Sequence, residues 1–182
     1  PKTATIKTNV DAKEVTYKMN VINNYANTLD NIIVLGRTSF AGNKDIITAE
    51  NLGSNMSIPL SSEITVNNID ATKVTIYYSE NGEATTDLSL AANNWITTVE
   101  DYSKVKSYMI VLNDYTMNTG HAFDFGYTAT IPASLDYALS SYENYAIFFN
   151  NNQASGTIQD KASAVKIGVT TGTIARLETA LT

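Results

Sequence analysis

The sequence predicts an all-β protein, an antiparallel β-sandwich of about ten strands with at most a short helical turn. Segments of alternating apolar and polar residues recur along the chain, separated by Asn, Gly and Pro. In residues 14–23 the apolar side chains take every second position, Val15, Tyr17, Met19 and Val21. That is the pattern of a strand with one face in a core and the other in water. No segment keeps a helical spacing of apolar residues over two turns, which favours the all-β class.

The remaining strands are predicted in chain order from the same pattern and from β-branched apolar runs. They cover a lead-in strand at 4–9 and strands at 31–36, 64–69, 73–79, 106–113, 120–131, 144–150, 162–170 and 173–181. Asn81-Gly82 predicts a turn, and the three asparagines at 150–152 predict another. Asp101 is expected to cap a single helical turn at 101–105, whereas residues 85–98 fit neither pattern clearly.

Length and composition limit the classes of function. The 182 residues are expected to form one domain, 1–182, in which 1–12 is a lead-in strand or a linker from a preceding repeat. Two sandwiches of roughly 90 residues are the alternative. The net charge of −6, without a basic stripe, argues against binding nucleic acid. No uncharged run is long enough for a membrane span, and the absence of Cys excludes disulfides, thiolate metal sites and a Cys nucleophile.

The sequence shows no catalytic motif, so we predict that the domain is not an enzyme and needs no cofactor. His121 is the only histidine, and there is no Gly-x-Ser-x-Gly turn to expose a serine nucleophile beside it. We interpret His121 as an exposed loop residue. Calcium is a further alternative, because several carboxylates occur at predicted turns: Asp11, Asp30, Asp45, Asp70 and Asp101. They form no Asp-x-Asp-x-Asp run, and turn formation explains them more simply, so no metal site is predicted.

Both ends of the chain resemble a known class of module. The stretch Val-Thr-Tyr-Lys-Met-Asn-Val-Ile-Asn at 15–23 is similar to the opening strand of the long repeat modules in Gram-positive cell-surface proteins. Tyr142, Tyr145 and the Phe-Phe-Asn at 148–150 resemble the Tyr-rich penultimate strand of that family, and 165–172 resembles its closing strand. One departure is Gly36-Arg37, where the family commonly has Pro.

The resemblance implies an immunoglobulin-like β-sandwich that repeats along a stalk or adhesin anchored to the bacterial cell wall. It implies an extracellular location, with neighbouring domains of the same chain as partners. Some members of the family carry an isopeptide between Lys and Asn, formed beside a buried acid. Asp124, Lys18 and Lys166 are the candidates here, but strand alternation points all three away from the core. We therefore predict no crosslink.

Two functions remain open from the sequence. The first is a non-catalytic stalk or spacer, and the start at Pro1 and the plain polar end are what we expect of an excised repeat. The alternative is an adhesin domain that binds a host glycan or an extracellular protein. Aromatic rings in or near predicted loops would supply its contacts, namely Trp95, Tyr102, Tyr115 and Tyr142.

Overall fold

A computed structural model of the protein describes residues 2–6, 13–133 and 139–171. Ten strands run through these residues. In chain order they are β1 (Lys2–Ile6), β2 (Lys13–Ile22), β3 (Leu29–Arg37), β4 (Thr65–Asn67), β5 (Val74–Ser79), β6 (Ser107–Leu112), β7 (Ala122–Ile131), β8 (Ser140–Gln153), β9 (Gly156–Lys161) and β10 (Val165–Thr171).

The strands form two sheets. The larger has the order β1-β10-β8-β3-β6-β5, with β9 also paired to β8, and the smaller has the order β2-β7-β4. Every pair is antiparallel except β1 with β10, which is parallel. The prediction of an all-β antiparallel sandwich is therefore confirmed.

Helical structure in the described ranges is limited to three single 3₁₀ turns, at Ala71–Lys73, Ala91–Asn93 and Tyr102–Lys104. Asp101 caps the last of these by accepting a hydrogen bond from the Ser103 amide, as the sequence predicted. No helix among the described residues is long and apolar enough to cross a bilayer.

The core lies between the sheets and follows the alternation of the strands. On β2, Tyr17, Met19 and Val21 are buried, whereas the residues between them are exposed. On β7 the buried set is Phe123, Phe125, Tyr127 and Ala129. Opposing residues of β3, β6 and β8 pack against both strands. Burying each large apolar side chain contributes on the order of 2 kcal/mol, so these two strands supply much of the stability of the small sheet.

The structure corrects the prediction around β8. The turn expected at 150–152 is wrong, because β8 continues to Gln153. Asn152 stays in the strand because its side chain donates to Thr28 Oγ1 and to Asp30 Oδ2, across to the start of β3, instead of bonding its own backbone. β9 was not predicted, and all six of its residues are exposed. Residues 173–181 and Asp11 lie outside the described residues.

Candidate functional site

Two of the four aromatic residues predicted to contact a ligand, Trp95 and Tyr102, lie within residues 85–105 but have different surroundings. Trp95 is half-buried, and its indole N–H donates to the Thr85 carbonyl at 2.9 Å, so the ring belongs to the framework of the loop. Tyr102 is half-buried and packs edge-on against Tyr78, with ring centroids 5.5 Å apart. Its ring helps to line a cleft at the edge of the sandwich.

The other two predicted aromatic residues lie elsewhere. Tyr115 is half-buried and packs against the hydrophobic core. Tyr142 lies on β8, and the Nζ of Lys166 sits 4.8 Å from its ring centroid in a cation–π contact. Within the described ranges, no two of the four predicted residues have their rings in contact with each other. That any of them binds sugar or protein stays a prediction.

The turn carboxylates behave as turn residues. The carboxylate of Asp45 accepts hydrogen bonds from the amides of Ile47 and Thr48, and that of Asp70 accepts from the amide and hydroxyl of Thr72. No group of three His, Cys, Asp or Glu side chains is placed to hold a metal ion in the part of the chain that could be searched. His121 is exposed, as the sequence indicated.

The most unusual group in the interior is Glu143. Alternation along β8 turns Ser141, Glu143 and Tyr145 inward, and Glu143 is 0% exposed. Its Oε2 accepts hydrogen bonds from the hydroxyl of Tyr127 at 2.9 Å and from that of Tyr108 at 3.4 Å. Its Oε1 has no hydrogen-bond partner among the described residues. The ring of Tyr17 packs against that of Tyr127, with centroids 5.0 Å apart. We call Glu143, Tyr108, Tyr127 and Tyr17 the Glu143 cluster.

Burial controls the charge of this cluster. It raises the pKa of Glu143 to about 8, although the hydrogen bonds from Tyr127 and Tyr108 act to lower it. Burial, followed by the proximity of Glu143, holds the pKa values of Tyr108 and Tyr127 well above the usual value for tyrosine. Burial also raises the pKa of Tyr17 to about 12. At pH 7 Glu143 is therefore protonated and the cluster is neutral.

Sequence reasoning missed Glu143 because it weighed Asp124 as the acid of a possible crosslink. Asp124 faces away from the core, and its carboxylate accepts from the side-chain amides of Asn67 and Asn68. Glu143 could have been found from its position two residues before Tyr145, because residues i and i+2 of a strand point to the same face. Lys18 is exposed, and no lysine whose side chain is described is buried. The absence of a crosslink stays a prediction.

A second feature is the open edge of the sandwich, where β5 of the large sheet faces β4 of the small one. A cleft of about 400 Å³ lies between them, lined mainly by Ile64, Val66, Val74, Ile76, Tyr78 and Tyr102. The Tyr78 hydroxyl accepts a hydrogen bond from the Ile64 amide at 2.9 Å and so links the two sheets across the cleft. We call this feature the edge cleft.

Comparison with known proteins gives structural neighbours only. No protein-family model matches the sequence, and no curated protein matches it. The chain is similar in structure to domains D2 and D3 of the major pilin SpaD from Corynebacterium diphtheriae, with 10% identity, 88% of this chain covered and a TM-score of 0.40. It spans about half of that SpaD fragment, 47%.

Two further neighbours are matched over most of both chains. One is the collagen-binding domain of a Staphylococcus aureus adhesin, with 11% identity, coverage of 86% of this chain and 87% of that one, and a TM-score of 0.38. The other is AggA, the major subunit of aggregative adherence fimbriae type I from Escherichia coli, with 9% identity, coverage of 94% and 90%, and a TM-score of 0.39. Similarity at this level does not indicate what this chain binds.

Proposed function

We propose that the domain is a non-catalytic stalk or spacer module of a bacterial cell-surface protein, and that it carries load along the chain. The observation that supports this most is the parallel pairing of the first and last described strands. β1 and β10 lie side by side from Lys2 opposite Ile167 to Ile6 opposite Thr171. Force that enters at Lys2 and leaves at Thr171 would pull the two strands in opposite directions along their length.

That geometry loads the ladder in shear. The hydrogen bonds of a parallel pair are evenly spaced along the strands. Under shear all the bonds of the β1–β10 ladder bear the load together, whereas force across the strands would open them one at a time. Forced unfolding is governed by the rate of unfolding, so a ladder that must break as a unit prolongs survival under load. A spacer in a stretched surface protein needs this property and needs no chemistry.

The interior fits the non-catalytic part of the proposal. Glu143 is the only fully buried carboxyl in the described part of the chain, and it lies among tyrosine side chains instead of beside a nucleophile or a lysine. The single histidine is on the surface, where it has no carboxylate contact among those recorded. A broad hydrolase screen that gave turnover abolished by His121→Ala would contradict this part.

Single-molecule force spectroscopy of tandem copies tests the load-bearing role. The N–H groups of the neighbouring residues Ala4 and Thr5 point to opposite sides of β1, so one of the two variants Ala4→Pro and Thr5→Pro removes a donor from the β1–β10 ladder and weakens it. We expect that variant to unfold at a clearly lower force than the wild type. Thr157→Pro is the matched control, because it places the same change on exposed β9, outside the β1–β10 ladder. Equal unfolding forces for the wild type and both β1 variants would contradict the proposal.

A further inference from the structure

The edge cleft has an unpaired strand edge on one wall. At the two ends of β5, the carbonyls of Lys73 and Ser79 accept hydrogen bonds from the amides of Asn113 and Lys106, which flank β6. These bonds set the phase of the strand. The even positions therefore turn their backbone groups away from β6. Tyr78 uses its N–H and C=O on that side to bond Ile96, at 2.8 and 3.0 Å.

Two residues earlier the same edge is free. The N–H and C=O of Ile76 point in the same direction as those of Tyr78 and have no recorded partner among the described residues. Ile96 thus pairs with the outer edge of β5 at Tyr78 in one antiparallel bridge, and the pairing goes no further along β5. The side chains of Val74 and Ile76 are half-buried against the core. An additional strand beside Ile76 would continue this pairing and place its inward side chains in the edge cleft.

The surroundings carry a negative charge. Glu63 lines the edge cleft, and a neighbouring cleft of about 340 Å³, on the other side of residues 96–98, is lined by Glu80, Glu100 and Asp101. Lys104 is the only basic residue that lines either cleft. Four carboxylates against one ammonium favour a cationic partner.

The edges of β2 and β9 lack this combination. Beside β2 the lining of the nearest cleft is largely polar and includes Thr16, Lys18 and Asp124. β9 is exposed on both faces, so a strand added to it would bury little apolar surface. Of the edges of β2, β5 and β9, only that of β5 combines a free main-chain N–H and C=O with an apolar cleft.

We propose that the edge of β5 at Ile76 binds an extended peptide segment of a partner protein as an added antiparallel strand, with apolar residues at alternate positions and Lys or Arg between them. Main-chain hydrogen bonds to Ile76 supply the pairing, and the apolar side chains enter the edge cleft. The basic side chains lie on the opposite face of the added strand, where the negative charge around the two clefts attracts them at longer range. This inference is independent of the stalk role and would add a binding function to the domain.

The test uses the whole domain, labelled with ¹⁵N, and a capped synthetic peptide, Thr-Val-Lys-Val-Lys-Val-Thr. In an antiparallel pair the residue opposite Ile76 shares its face, so a valine of the peptide exchanges hydrogen bonds with Ile76. We expect the Ile76 amide to shift on titration and to exchange more slowly with solvent. A peptide with Glu in place of Lys should bind at least about tenfold more weakly, because attraction becomes repulsion.

Two matched peptides make the result decisive. Methylation of the backbone nitrogens of the valines removes the N–H donors that face β5 and should abolish the shift of the Ile76 amide. Methylation of the backbone nitrogens of the lysines should preserve that shift. The variant Ile76→Pro, which keeps the β6 ladder because its N–H faces away, should not bind. An unchanged Ile76 amide at millimolar peptide would overturn the proposal. So would equal binding by both methylated peptides, or shifts centred on β2 or β9.

Discussion

At the scale of single residues, Glu143 decides how the interior responds to pH. A carboxyl group that is fully buried must either find a cation or stay neutral, because an unpaired buried charge is very costly. Among the described residues no cation stabilises the charged form of Glu143, and the hydroxyls of two tyrosines donate to one of its oxygens. The fold is therefore more stable while Glu143 keeps its proton.

The first prediction concerns this proton. The pKa of Glu143 is about 8 in the folded protein, against 4.5 for an ordinary glutamate. Between these values the folded protein holds a proton that the unfolded chain has released. The free energy of unfolding therefore falls as pH rises, by up to about 1.4 kcal/mol per pH unit. This contribution is complete below about pH 4.5 and is lost as pH rises through 8.

Glu143→Gln keeps the shape of the side chain and removes its titration. Urea denaturation from pH 5 to pH 8 should show the wild type losing about 3 kcal/mol relative to this variant. The same substitution at Glu63, which is exposed, is the control and should leave the wild-type profile unchanged. Parallel pH profiles for the wild type and Glu143→Gln would contradict a neutral buried carboxyl.

The second prediction concerns Gly36, which lies opposite Tyr108 in the β3–β6 pair. A Cβ at Gly36 would overlap the ring of Tyr108. That ring is fully buried, and its hydroxyl donates a hydrogen bond to Glu143. Gly36→Ala must displace that ring, and we expect it to cost on the order of 3 kcal/mol in denaturant unfolding. Gly42→Ala is the control. Its φ of +81° brings strain of about 1 kcal/mol, but no other atom lies within 4 Å. Equal costs would contradict the packing described here.

At the scale of elements, the loop from 80 to 106 is built around one buried amide. Asn93 is 1% exposed, and its side chain donates to the carbonyl and hydroxyl of Thr85 and to the carbonyl of Asp87. Its Oδ1 accepts from the Thr85 amide at 3.1 Å. These bonds hold the loop in a fixed shape although Leu88 and Leu90 remain exposed at its surface.

The third prediction is that Asn93→Ala loosens this loop. Several backbone and side-chain groups would lose their buried partner, at a cost of about 2–4 kcal/mol. Hydrogen exchange at the Thr85 amide should accelerate, and limited proteolysis should cut within 85–95. Asn67→Ala is the control, because Asn67 is exposed and donates only to Asp124. Unaltered exchange at Thr85 would show that the loop has another source of rigidity.

The elements also show what the sequence can predict. β2 and β7 are predictable because each has one face in the core, so apolar and polar residues alternate along them. β9 is not, because exposure of both its faces leaves no periodic signal. The candidate sites follow the same rule. The inward turn of Glu143 is local and readable once β8 is assigned, whereas the edge cleft depends on which edges of two sheets face each other. That arrangement comes from contacts distant in sequence.

At the scale of the whole molecule, the central claim is that the domain is arranged to resist force along the chain. The parallel β1–β10 pair joins the two ends of the described chain within one sheet. Under the proposed load, β10 would be held by its hydrogen bonds to β8, and β8 by those to β3, which lie next in that sheet. The direction in which force is applied should therefore decide the unfolding force, with stability and composition held nearly constant.

Pulling the same domain in two directions tests this claim most directly. The chain has no Cys, so a single introduced thiol gives one defined attachment point, with the second at a C-terminal tag. Attachment at Lys2→Cys loads the β1–β10 ladder in shear, whereas attachment at Thr5→Cys pulls near its Ile6–Thr171 end and opens it pair by pair. The load-bearing account predicts a clearly higher unfolding force for Lys2→Cys than for Thr5→Cys. Equal forces in the two directions would contradict it.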